Sequence, residues 1–254
     1  MFRSIPLNSV SIQNQLSLFH QITQRIASRN ALTMDFDQDP QVVLFLERLC
    51  KLILMAPSRE MAKQAWAIVT LLCQSLYPND KIKLIMFLLS VPVSTVSVLA
   101  ITLVKETLIL ELEEAETDFL QLLTASFYPI LFDKDSSLYK DQDRHILKDK
   151  MLFIEKLDIL FQVVNFYRFL QLKDVNRCIH KLLPKSQQEI ITRTFLNPTR
   201  AFIVECAAEL DDCKSSVSVD FEQEGGDLQR CRSTMMLLKD IIDQVISHSP
   251  EIGE

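Results

Sequence analysis

The chain has 254 residues, 48% hydrophobic and 24% charged, with a net charge of −6. That length allows a sizeable core, and mild acidity without a long basic block argues against nucleic acid as a partner. Gly occurs only at Gly225, Gly226 and Gly253, which disfavours hairpins, nucleotide-binding loops and tight strand connections, all of which lean on positive φ.

The remaining composition predicts helices joined by short turns. The N-terminus MFRSIPLNSVSIQNQ has no charged start, continuous apolar run or small-residue cleavage site of a secretory signal. Val10 to Arg29 carries Ile12, Leu16, Phe19, Ile22 and Ile26 at helical spacing. Asp39-Pro40 reads as a helix start, and VVLFLERLCKLILMA stops before Pro57. Ser58 caps the next helix, which ends before Pro78. Asn79 or Asp80 is the expected cap of KIKLIMFLLS, and Ser94 that of TVSVLAITLVKETLILELEE.

Leu84 to Val104 contains 21 residues and no charge. About 20 apolar residues span a bilayer as a helix, so a membrane span is one reading. Pro92 near the middle, with Ser90, Ser94, Thr95 and Ser97 around it, predicts a turn between two buried core helices instead.

Thr117 is the expected cap of DFLQLLTASFYPILF, followed by a polar loop at Asp133 to Asp143. A long helix is predicted from Ile146 to Lys173, and a short one over Asn176 to Leu183. Ser186 to Glu189 has the form of a capping box, and Asn197-Pro198 that of a further helix start. Residues 214–227 read as a flexible linker, and Leu228 to His248 returns to helical spacing. No segment shows strand alternation with hairpin turns.

Pro40 to Pro78 holds two helices in about 38 residues, near the ~40–47-residue period of HEAT and armadillo repeats. The expected fold is all-α: a HEAT/armadillo-like solenoid of stacked antiparallel helix pairs. Its expected layout is a helical-repeat domain at 1–212, a polar linker or loop at 213–228, and a terminal helix at 229–250 packing on the repeat domain.

No catalytic, cofactor-binding or metal-binding residues emerge. The loop from Asp133 lacks the Gly and the Glu that an EF-hand needs at positions 6 and 12, where Leu138 and Arg144 stand. His20, His145, His180 and His248 are scattered, and Cys178-x-His180 has no second ligand pair nearby. No P-loop, nucleophile elbow or dinucleotide fingerprint occurs, so the chain is read as not an enzyme. The six Cys form no zinc-type pairs, which points to a reducing compartment, cytoplasm or nucleus. Tyr167-Arg168-Phe169, Lys173, Arg177, His180, Lys181 and Lys185 concentrate positive charge. Arg beside aromatics is enriched at protein interfaces. Cations near a helix C-terminus also offset its dipole, and both readings stand.

PQVVLFLERLCKLILMAPSREMAKQAWAIVTLLCQSLYPNDKIKLIMFLL resembles the C-terminal half of the glomulin family, which groups animal glomulin, its plant counterpart in lateral-root formation and the fungal Yap-binding proteins. ILFQVVNFYRFLQLKD is similar to the family's L-x-x-L-L-R-Y-L-x-x-K-D pattern, sharing Arg168, Lys173 and Asp174. Thr194 to Pro198 resembles its N-x-F-L-x-P helix entry. The match covers about residues 15–205 and a terminal helix at 234–248, whereas family members are generally much longer. The resemblance implies a HEAT-like, non-enzymatic protein. Its partner would be the RING subunit of a cullin ubiquitin ligase, masked where the conjugating enzyme docks. The fungal alternative is an adaptor for a bZIP stress transcription factor, with Cys213 and Cys231 as the candidate redox thiols. Arg168, Lys173 and Arg177 are the expected partner contacts, with no nucleic acid and no membrane.

Overall fold

Prolines punctuate the helices between residues 40 and 94: Pro40 and Pro78 begin helices, and Pro57 and Pro92 lie in the turns between them. The computed structural model describes residues 13–14, 16–18, 20–21, 23–24, 40–114, 122, 125–141, 144–176, 182–216 and 222–247, most of them helical. The chain divides into two compact units, Met1–Leu122 and Leu123–Glu254.

In the first unit the helices are α1 (Pro40–Met55), α2 (Arg59–Gln74), α3 (Pro78–Ser90) and α4 (Ser94–Glu114). Each packs on the next. Ser58 caps α2 as expected, its Oγ accepting the Met61 N–H at 3.3 Å. Neither Asn79 nor Asp80 caps α3. That helix starts at Pro78, with Tyr77 in the cap position and no side-chain cap bond. Proline presets helical φ and brings no N–H to satisfy, so the first turn begins earlier than a polar cap would set it.

The uncharged stretch is two helices. α3 ends at Ser90, exposed Pro92 lies in the turn, and α4 starts at Ser94. Leu84, Ile85, Leu88 and Leu89 of α3 are buried, as are Val96, Ala100, Ile101, Leu103, Val104 and Leu108 of α4. The apolar residues of α4 go almost all the way round it, the pattern of a helix enclosed by its own domain. Among the described residues no helix is long and apolar enough to cross a membrane.

The second unit contains α5 (Tyr128–Leu131), a 3₁₀ turn (Ser137–Tyr139), strands β1 (Lys140–Asp141) and β2 (Arg144–His145), then α6 (Lys150–Glu155), α7 (Leu157–Asn176) and α8 (Lys185–Ile191). A π-helical turn (Thr192–Leu196) leads into α9 (Asn197–Ser216), and α10 (Glu222–Ser247) follows. α10 packs on α7, α9 and the π-turn, and α6 packs on α7. Phe132 lies edge-on to Tyr128, Tyr167 and Phe195 at centroid distances of 5.4, 5.6 and 6.1 Å. Tyr139 sends its hydroxyl to the Leu131 carbonyl, so a buried polar group keeps a partner.

Five expectations need correction here. The polar loop forms a two-residue antiparallel pair, Lys140 opposite His145 and Asp141 opposite Arg144. The helix expected over 146–173 is interrupted. Ile146 belongs to the buried end of the hairpin, Asp149 caps α6 by accepting the Leu152 N–H at 3.0 Å, and Lys156 leaves helical geometry at φ −101°, ψ 5°. Ser186 forms no capping box, because Pro184 takes the cap position and α8 begins at Lys185. Asn197-Pro198 starts no new helix. The chain runs helically from α8 into α9, and the Asn197 N–H reaches five residues back to the Thr192 carbonyl. Pro198 lacks an N–H and crowds the carbonyl four residues back, and the wider π-turn just before it relieves both problems. The described residues of the polar stretch at 213–228 are helical: α9 runs to Ser216, and α10 starts at Glu222 and includes Gly225 and Gly226. Helix already anchored by packing elsewhere extends cheaply, even through poor formers.

Of the helix expected from Thr117, residues 117–121, 123 and 124 lie outside the described residues, and α5 (Tyr128–Leu131) is its regular helical part among those described. Most of Asn176 to Leu183 and of Val10 to Arg29 also lies outside the described residues.

Candidate functional site

Residues on an α-helix advance by about 100° each, so α7 divides cleanly. Leu157, Ile159, Leu160, Val163, Val164, Phe166, Tyr167 and Leu170 fall on one side and are buried. Asp158, Phe161, Gln162, Asn165, Arg168, Phe169, Leu172 and Lys173 fall in an arc of about 140° on the other, and all are exposed or half-buried.

Asp158, Arg168 and Leu172 are the exposed members of this arc, and Leu172 is 56% exposed. Half-buried Phe169 stacks on buried Phe166 at 6.3 Å. The Lys173 ammonium sits 5.7 Å from the centre of the Phe169 ring, within cation–π range. Among the described residues Arg168 has no carboxylate partner. Asn165 turns its amide back to the Phe161 carbonyl at 2.9 Å, which leaves the arc mainly aromatic, aliphatic and cationic.

Of the sequence-derived contacts, the structure places Arg168 and Lys173 at the two edges of the outward arc of α7, about 7.5 Å apart along the axis, and Arg177 lies outside the described residues. Leu172 was missed. Its signal was its place four residues after Arg168, which puts it on the same side of a helix.

Elsewhere, charges answer one another. Arg144 reaches Asp149 at 2.7 Å, Glu155 at 3.7 Å and Asp141 at 3.8 Å. His145 accepts the Leu147 N–H at Nδ1, 3.1 Å, so the neutral ring carries its proton on Nε2 and donates it to Asp135 at 3.1 Å. Lys150 bridges α6 to Glu205 and Glu209 of α9. Lys81 of α3 pairs with Glu111 of α4, and both are largely buried. Among the described residues no group of three His, Cys, Asp or Glu is placed to hold a metal.

Burial pushes the thiols of Cys50, Cys73 and Cys206 up to about 11, away from the thiolate form that nucleophiles and redox sensors use. Cys231 is half-buried, and the side chain of Cys213 lies outside the described residues.

The sequence matches no family model and no curated protein.

Proposed function

We propose that this chain is a non-enzymatic helical scaffold that binds a protein partner through the outward arc of α7. The observation that carries this reading is the arc itself: exposed Leu172 beside half-buried Phe169, between Arg168 and Lys173. Aromatic and Arg side chains around an apolar centre are the composition enriched where proteins meet.

We take the partner to be the RING subunit of a cullin ubiquitin ligase, covered where its conjugating enzyme docks. The resemblance to the glomulin family supports this choice. The resembling segments include α1 to α3 and α7, and consecutive helices packed in order support stacking of the HEAT/armadillo kind. The place of action is then the cytoplasm and nucleus. The alternative is a bZIP-factor adaptor with Cys213 or Cys231 as its reactive thiol; Cys231 is half-buried, and the side chain of Cys213 lies outside the described residues.

The test is capture of purified RING subunit by the full chain, followed by a ubiquitin-discharge assay. Binding at tens of micromolar or tighter, with slowed discharge, is expected. No capture at that concentration ends the RING reading.

A further inference from the structure

This inference rests on the partner-binding reading of the same arc and names the chemistry of what sits on it. We propose that the partner element is an amphipathic helix whose apolar stripe is edged on both sides by carboxylates. Measured around α7 from Arg168, Leu172 lies at about 40°, Phe169 at about 100° and Lys173 at about 140°. The two cations therefore mark opposite edges of the exposed arc, and the two apolar side chains fill the space between them. All four lie within about 7.5 Å along the axis.

That layout selects among occupants. A purely apolar helix would cover Leu172 and Phe169 but leave a cation unanswered at each edge, and a basic helix would be repelled at both. A helix acidic on one edge would answer one cation only. An apolar stripe with a carboxylate on each side meets all four groups at once, the helix-on-face mode with charges setting register.

The charges are available for this. Lys173 rests against an aromatic face, which leaves its ammonium open to a carboxylate from above. Asp158 is the one acidic side chain described on the arc. It lies ten residues away, about 15 Å along the axis, beyond the ~8 Å screening length at physiological salt.

The test uses the full-length chain and two fluorescent synthetic helical peptides with the same leucine stripe, edged by Glu in one and Lys in the other. Anisotropy is expected to show the Glu peptide binding at least about tenfold more tightly, and more weakly as salt rises. Arg168→Glu combined with Lys173→Glu is expected to invert the preference. Leu172→Asp, at an exposed position that leaves both cations in place, is expected to abolish binding, with circular dichroism checking the fold. Equal binding of the two peptides, or a Glu preference that survives the double reversal, overturns the inference. If RING capture persists while the peptide preference is absent, this inference fails and the partner reading stands. If the peptide preference holds while RING capture fails, the RING identity falls and the acidic-helix inference stands.

Discussion

Arg144 organises the β-hairpin and the start of α6 through one carboxylate in particular. Its guanidinium hydrogen-bonds to Asp149, which also accepts the Leu152 N–H, and these bonds hold the Asp149 carboxyl down at about 2. An unfolded Asp titrates near ~3.9. The folded value is the lower one, so the stabilisation from Asp149 is complete above about pH 4 and is lost as pH falls toward 2. Asp149→Asn keeps an oxygen able to cap the helix but removes the titrating charge. The melting temperature of the variant is therefore expected to change less between pH 4 and pH 2 than that of the parent. The thiols give a second expectation at this scale. Cys50, Cys73 and Cys206 are buried and held protonated, while Cys231 is half-buried. Brief alkylation of the native protein at neutral pH, read by mass spectrometry, should modify Cys231 well before those three. Early modification of Cys73 would contradict its complete burial.

α3 and α4 are joined by burial along their length and by the Lys81–Glu111 ion pair. Glu111 is nearly sealed from solvent, its side chain 2% exposed and that of Lys81 14%. Thr107, one turn before Glu111, faces Cys73 of α2 at 3.8 Å. Removing one member of a buried ion pair strands the other charge and costs about 3–5 kcal/mol, whereas replacing both with apolar groups is often neutral or better. Lys81→Met is therefore expected to lower the unfolding free energy by about that amount, and Lys81→Met with Glu111→Leu to recover most of it, as measured by urea denaturation. At this scale much was legible. Pro57, Pro78 and Pro92 marked helix boundaries because proline's fixed φ and missing N–H act on its own stretch of backbone. Ser58 was legible as a cap for a similarly local reason. The π-turn before Pro198 was not, because Asn-Pro is an equally good helix start. Burial of Phe195, Leu196 and Thr199 keeps the chain helical there instead.

At the scale of the whole molecule, each of the two units carries its own core. In residues 123–254 that core is built from α7, α9, α10 and the aromatic group around Phe132. A fragment of those residues is expected to show helical circular dichroism and a single cooperative thermal transition. A non-cooperative melt would mean that this unit does not stand on its own core.

The sequence by itself determined that the chain is helical, that Leu84 to Val104 folds as two helices around Pro92, and that Arg168 and Lys173 belong to one helix. Local sterics and the spacing of apolar residues act within a few positions, so a linear reading reaches them. Only the tertiary structure decided which side of α7 faces out, how Lys81 finds Glu111 thirty residues away, and where the helix expected over 146–173 breaks. The first two outcomes depend on neighbours distant in sequence, and the break on the folded hairpin that brings Arg144 to Asp149 at the start of α6. Burial of Tyr167 and Leu170 turns Arg168, Leu172 and Lys173 toward solvent, and that placement makes the arc a surface a partner can cover.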